Sequence, residues 1–197
     1  QSNTADISCD IQGEDILRFE VQTAGTLAPF DMTQIVVRTD GSSDPLNDIN
    51  MVEIYYTGSS PVFTNTTLFG SAAPAGPGIN IPINGSQTLG SGINYFWVVY
   101  QLSASPTPGY LLDGQVIQST MNGGIGARIP GQTDPPGTLR IVPCGGFPGG
   151  IGTNIKFWVK ANLGTSCSTG GCGVGTWEDL SGNNENLTNG SSFERPI

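Results

Sequence analysis

The stretch TDGSSDPLNDIN sets three carboxylates, Asp40, Asp44 and Asp48, four residues apart, with Asn47 and Asn50 close by. Hard oxygens converging in this way are what a calcium ion takes. Asp40, Asp44 and Asp48 are therefore the candidate metal ligands, and calcium is the one cofactor they suggest. The loop lacks the alternating Asp order and the closing bidentate Glu of a helix-flanked calcium loop. Its competing reading is a turn whose Asp and Asn side chains cap backbone amides. Two adjacent acid pairs, Glu14-Asp15 and Glu178-Asp179, carry the residue type that glycoside hydrolysis uses. Neighbours along a strand point to opposite faces, which favours solvated charges over a catalytic pair. The chain has no histidine, so Ser-His-Asp and Cys-His chemistry are excluded. No catalytic residue is assigned.

Four cysteines, Cys9, Cys144, Cys167 and Cys172, allow three disulfide pairings. Cys167 and Cys172 bracket STGG, a loop able to close a small ring, whereas Cys9–Cys144 would staple the ends of one domain. A zinc site is disfavoured, because there is neither a histidine nor a C-x-x-C. An oxidising compartment is the expectation. Among the aromatics, Tyr55, Tyr56, Tyr95, Trp97, Tyr110, Trp158 and Trp177 could stack on sugar rings. About half must face inward on alternating strands. Tyr55 and Tyr110 are the candidates for carbohydrate contact, and Trp97 is expected in the core.

Net charge is -9, from 16 acidic and 7 basic residues in a chain of 197. That excludes a phosphate-neutralising face for nucleic acid and disfavours anionic lipid. Ten of the acids lie between Asp6 and Glu53, and none of the residues from Ile54 to Leu112 is charged. A polar surface built from Ser, Thr, Asn and Gln suits a secreted or cell-surface protein. The glutamine at position 1 is expected to be a mature N-terminus left by a signal peptidase. No apolar stretch reaches the roughly 18 residues of a spanning helix, so direct membrane insertion is not expected.

These side chains have to be positioned by strands. DILRFEVQT alternates Leu17, Phe19 and Val21 against Arg18, Glu20 and Gln22, and NMVEIYYTG aligns Val52, Ile54 and Tyr56 on one face. TQIVVRT, SPVFTNTTLFG, GQVIQST, TLRIVP and NIKFWVKA read as further strands, while SAAPAGPGINIPINGS reads as an ordered loop or short edge strand. The run from Ile93 to Tyr100 has one polar member, Asn94. It reads as a central strand covered on both faces, the alternative being one exposed binding strip. No helical periodicity is sustained. The fold class expected is all-β, an antiparallel β-sandwich (jelly-roll or Ig-like), with a short second β segment. PCGGFPGGIGTN has the composition of a linker. The division expected is a sandwich over 1–144, a linker over 145–153 and a second β module over 154–197.

GTLAPFDMTQIVVRTDGSSDPLNDINMVEIYYTGSSPVFTNTTLFGS and QTLGSGINYFWVVYQLSASPTPGYLLDGQVIQSTMNGG resemble the neuraminidase-associated N-terminal β-sandwich. The distinctive order is Asp48-Ile49, YYTG, LFG and GINYFW, within roughly residues 10 to 143. FWVKANLG followed by TWEDLSGNNEN is similar to the opening of a concanavalin/LamG-like lectin module, with Asn162 where Asp is commoner and most of the jelly roll missing. The resemblance implies a module of secreted surface proteins of gliding Bacteroidota, beside sialidase-type propellers and type IX secretion signals. The primary expectation is a non-catalytic extracellular module, outer-membrane associated, acting in adhesion, spacing or assembly. Its partners would be other surface or secretion proteins, copies of itself, or glycans. The alternatives are an accessory carbohydrate-binding domain of a secreted sialidase or glycosidase, or a structural filament subunit. Sialidase chemistry itself needs an arginine cluster for the substrate carboxylate. Arg18, Arg38, Arg128, Arg140 and Arg195 are scattered, and no Ser-x-Asp-x-Gly-x-x-Trp box occurs.

Overall fold

The structure is a computed structural model and describes residues 1, 3–8, 13–25, 29–122, 126–142, 156–159, 175–179, 181, 183 and 185–188. The chain divides into two compact units, Gln1–Ile141 and Val142–Ile197. In chain order the strands begin with β1 (Ile7–Ser8), β2 (Glu14–Thr23), β3 (Asp31–Arg38), β4 (Ile49–Gly58) and β5 (Leu68–Ala72). They continue with β6 (Ile81–Thr88), β7 (Gly92–Leu102), β8 (Leu111–Leu112), β9 (Gln115–Met121), β10 (Gly126–Arg128) and β11 (Leu139–Val142). A four-residue helix, α1 (Pro45–Asp48), precedes β4. The second unit contributes the pair β12 (Thr176–Trp177) and β13 (Leu187–Thr188).

Two four-stranded antiparallel sheets carry the first unit, in the orders β2-β7-β4-β5 and β10-β9-β3-β6. A small third sheet, β1-β11-β8, accompanies them. The all-β sandwich expected from the sequence is the fold observed. β7 is central, as its composition required: Leu17 pairs with Val98 on one side and Ile54 with Val98 on the other. Phe96, Val98, Tyr100 and Leu102 face the core with Met32, Ile35 and Val37 of β3 and Ile81 and Ile83 of β6. Phe96 anchors an aromatic cluster, stacked on Phe19 at 5.2 Å, tilted against Tyr56 at 4.9 Å and edge-on to Phe69 at 5.8 Å. Such geometries add stabilisation beyond area burial.

Asn94 and Tyr100, the polar side chains that β7 carries inward, are matched. Asn94 is buried, and its Oδ1 accepts from the Tyr56 hydroxyl at 2.7 Å and the Gly90 amide at 2.9 Å. Its Nδ2 donates to the carbonyls of Gly90 and Gly92 at 2.8 and 3.2 Å. The Tyr100 hydroxyl donates to the Asp113 carbonyl at 2.7 Å, and burial pushes that phenol's pKa up. A satisfied buried polar group specifies one arrangement of the core rather than opposing it.

SPVFTNTTLFG enters a strand only at Leu68. The Ser60 amide donates to the Thr57 carbonyl at 3.1 Å, and the Thr57 hydroxyl to the Ser60 carbonyl at 2.7 Å. This turn, with Pro61 behind it, makes residues 59–67 a loop. SAAPAGPGINIPINGS does more than expected: β6 is an eight-residue edge strand in which Ile81 and Ile83 alternate inward against exposed Pro82 and Asn84. Proline is tolerated at a sheet edge. Of NIKFWVKA, the described residues 156–159 are not in a strand. The linker 145–153 lies outside the described residues, as do Cys9, Cys144, Cys167 and Cys172 and hence every disulfide pairing considered.

The sandwich is pinched on one side. There β5 meets β6, and a Cβ added to Gly70 would stand 2.3 Å from the Asn84 carbonyl oxygen, one on Gly85 2.3 Å from that of Phe69. Two glycines thus let the sheet edges touch backbone to backbone. Gly70→Ala or Gly85→Ala is expected to cost about 1–3 kcal/mol through forced displacement. Gly76→Ala, with open space around it, is expected to be near neutral. Denaturant melts of the three variants check this.

Candidate functional site

The outer face of the first sheet also carries aromatic side chains, Tyr55 of β4 and Tyr95 and Trp97 of β7. Trp97 is only 4% exposed, buried as expected, on the face of β7 that points away from the inter-sheet core. Its indole N–H donates to the Thr57 hydroxyl at 2.9 Å. Phe63, carried by the loop 59–67, tilts over the indole at 5.5 Å, and Tyr55 meets Phe63 edge-on at 6.1 Å. The Arg18 guanidinium lies 5.2 Å from the Tyr95 ring centre and 5.7 Å from that of Trp97. It also pairs with Glu20 at 3.1 Å. Gln1, Asp15, Arg18, Pro61, Phe63 and Trp97 line a cleft of about 420 Å³ here.

This arrangement is suited to binding rather than to bond breaking. Phe63 offers an apolar face for a sugar ring, and the Asp15 carboxylate and Arg18 guanidinium offer planar hydrogen-bonding groups for hydroxyls. Trp97 lies beneath as support, and the Gln1 amide is engaged, its Nε2 donating to Asp113 and its Oε1 buried. Alongside, Glu53 Oε2 accepts from the Tyr55 hydroxyl at 3.0 Å and from Gln101 at 2.8 Å. Burial, reinforced by Glu53, raises the Tyr55 pKa. Tyr55 is thus half-buried and engaged behind the cleft, not presented as a free platform. Tyr110 is 40% exposed and lies elsewhere, its carbonyl accepting from the Ile141 amide at 2.8 Å.

The three aspartates of the calcium reading are each used separately. Asp40 accepts the Gly78 amide at 2.5 Å and stands 3.8 Å from Arg38. Asp44 accepts from Asn47 at 2.8 Å. Asp48 is fully buried, and its Oδ1 takes the Thr107 amide at 2.7 Å. Among the described residues no group of three or more Asp, Glu, His or Cys side chains is placed to hold a metal. Asp40 and Asp48 each accept a backbone amide as in a capped turn, whereas the Asp44 side chain makes no helix-cap bond. The acid pairs also split. Asp15 lines the cleft while Glu14 bonds to Asn3, and burial, with Asp15 beside it, raises the Glu14 pKa despite that bond. The described arginines lie on four different strands, Arg38 bonding to Asn80 and Arg140 to Asp6. No carboxylate-binding cluster forms among them.

In the second unit the TWEDLSGNNEN motif acquires a structural meaning. Asp179 accepts the amides of Trp158 at 2.9 Å, Ser181 at 2.9 Å and Glu185 at 3.2 Å, together with the Ser181 hydroxyl at 2.7 Å. Ser181 and Asn183 in turn donate to the Lys156 carbonyl. Burial alone would raise the Asp179 carboxyl, but these hydrogen bonds outweigh it and hold the pKa down to about 2.

What the sequence reading missed was the cleft itself. Phe63 was expected in a strand rather than in a loop folded over Trp97. The usable signal was Ser-Ser-Pro at 59–61, which marks a turn.

Residues 1–124 match a family model described as the N-terminal domain of BNR-repeat neuraminidase. No curated protein matches the chain. Among solved structures, the Hadza microbial sialidase Hz136 superimposes with a TM-score of 0.54 at 15% identity, over 72% of this chain. The chain spans 30% of that sialidase's length, and at this identity the likeness is one of fold.

Because the folded Asp179 carboxyl binds its proton more weakly than the unfolded chain does, its contribution is complete above about pH 4 and lost as pH falls through about 2. The Trp158 amide resonance is expected to titrate near that lower value. Asp179→Ala is expected to cost the second unit about 2–3 kcal/mol, read by denaturant unfolding.

Proposed function

The chain belongs to the family of N-terminal domains of BNR-repeat neuraminidases, and we propose from that premise that it is a non-catalytic accessory domain of a secreted sialidase-type glycosidase. Its work is to hold glycan at the outer-face cleft while chemistry proceeds elsewhere in the protein. The observation that carries this reading is the cleft's pairing of the Phe63 ring, held on Trp97, with Asp15 and Arg18. The scatter of acids and arginines described above supports the absence of catalysis. The low charge of the surface supports an extracellular setting, and among the described residues no helix is long and apolar enough to cross a membrane.

The cleft also favours one class of ligand. Its cation, Arg18, is already paired with Glu20, and Asp15 adds a second carboxylate. An anionic sugar would meet an acidic site in a chain of net charge -9. A neutral sugar would not, so the domain holds the neutral part of a glycan, such as remains after sialic acid is removed. Adhesion, spacing and type IX secretion, the primary expectation from the sequence, have less support than this alternative, because the family is that of a sialidase-type protein.

Isothermal titration of the full chain with galactose-terminated and sialylated oligosaccharides tests the reading. The neutral glycan is expected to bind more tightly, and Phe63→Ala to weaken it by about tenfold, or about 1.4 kcal/mol. Binding that ignores Phe63→Ala, or that prefers the sialylated form, sinks it. No sialoside turnover is expected, and turnover lost on mutating a carboxylate of this chain would overturn the non-catalytic assignment.

A further inference from the structure

The sandwich is pinched at β5 and β6 and open on the opposite side. There β2 and β10 are the edge strands of the two sheets, and a groove of about 410 Å³ separates them. Its walls include Phe19 and Val21 of β2, Phe30, Met121 of β9, and Ile129 and Pro130 after β10. Phe19 and Val21 face the core yet remain only half-buried. β10 is three residues long and exposed throughout, whereas β2 is ten residues long. Among the described residues, β2 pairs with β7 on one side and with no strand on the other.

A long edge strand ordinarily carries some device against pairing: a proline, charged side chains, or a bulge. β2 has no proline, its single irregularity, between Asp15 and Leu17, comes at the start, and of its four charges the two beyond that bulge, Arg18 and Glu20, are of opposite sign. From Leu17 to Thr23 the ladder to β7 is regular. The outer edge therefore offers a straight row of backbone donors and acceptors beside half-covered apolar side chains. An added strand is the occupant such an edge takes.

We propose that this strand is β2 of a second copy of the chain, paired antiparallel about a two-fold axis at Phe19. Residues facing each other across an antiparallel ladder must lie on the same face, so a two-fold pair has to be centred on a residue. Centring on Arg18 sets that guanidinium against its own copy, and centring on Glu20 sets carboxylate against carboxylate. Centring on Phe19 places Arg18 opposite the partner's Glu20 and Glu20 opposite the partner's Arg18. The same register aligns Leu17 with the partner's Val21 and the two Phe19 rings with each other. Centres further towards the start run into the bulge, and those further towards the end shorten the ladder. Arg18 and Glu20 lie on the solvent face of the strand with side chains 38% and 45% exposed, and are free to exchange their mutual ion pair for one across the ladder. Each copy carries a net charge of -9, so association needs local complementarity of this kind. Charge here selects register more than it supplies affinity. The result is a continuous eight-stranded sheet, and it shares Arg18 with the lining of the outer-face cleft.

Sedimentation equilibrium of the full chain, with charge variants at exposed positions, tests the pairing. The protein is expected to dimerise. Arg18→Glu and Glu20→Arg, each alone, put like charges face to face twice and are expected to raise the dissociation constant by about tenfold or more. The double variant carrying both changes in one chain is expected to dimerise again. An equimolar mixture of the two single variants is expected to form a heterodimer, since each supplies what the other lacks. Circular dichroism melts of all variants confirm that they fold. A wild-type chain that stays monomeric overturns the proposal, as does a dimer indifferent to both single changes. Neither result bears on the loss of glycan binding in Phe63→Ala.

Discussion

Everything in the first unit hangs on one strand having to be apolar on both faces. β7 buries Phe96, Val98, Tyr100 and Leu102 between the sheets, and Trp97 and Val99 on the opposite face. A strand of that kind cannot sit at an edge or face water. It therefore needs β2 and β4 on its flanks, a second sheet beneath it, and a cover above. The loop 59–67 supplies part of that cover through Phe63. The cleft is thus a by-product of protecting Trp97. The cover is made of separate pieces, and the gap left among Phe63, Arg18 and Asp15 is the candidate site.

A second constraint sets the shape. Two sheets packed face to face sit about 10 Å apart, yet β5 and β6 come close enough for the backbones of residues 69–70 and 84–85 to touch. Only residues without a Cβ allow that. Closing one side while Phe19, Phe30 and Met121 hold the other apart turns a parallel-walled sandwich into a wedge. The open side is where the edge of β2 stands, so the same glycines that seal one flank leave the other available for pairing.

How much of this was legible in the sequence depends on the range of the interaction. β2, β3, β4, β7 and β9 were readable because alternation is a local signal, and β7 could be placed centrally from its composition alone. The fate of residues 59–70 was not readable by apolar content. Val62, Phe63, Leu68 and Phe69 suggest a strand, but a turn held by Thr57 and Ser60 interrupts it. β6 was underrated because Pro82 looks like a breaker and is harmless at an edge. The cleft joins Gln1, Asp15 and Arg18 to Pro61, Phe63 and Trp97. No local spacing encodes such a meeting, and only the register of β2 and β4 on β7 creates it.

The acidic residues show how much of a residue's work lies outside its type. Asp40, Asp44, Asp48 and Asp179 all stand in loop-like text rich in Gly, Ser and Asn, which invites a metal or catalytic reading. In the fold three of them accept backbone amides: Gly78 for Asp40, Thr107 for Asp48, and Trp158, Ser181 and Glu185 for Asp179, while Asp44 accepts from the Asn47 side chain. A fold with so little helix has many turn amides that no ladder satisfies, and a buried amide left unpaired is costly. A carboxylate accepting several of them is held ionised by the same bonds, as the lowered pKa of Asp179 records. It then has no proton to give and no lone pair facing a substrate. Acids committed to holding loops are unavailable for hydrolysis, and binding is what remains for Asp15, which is left facing the cleft beside aromatic rings.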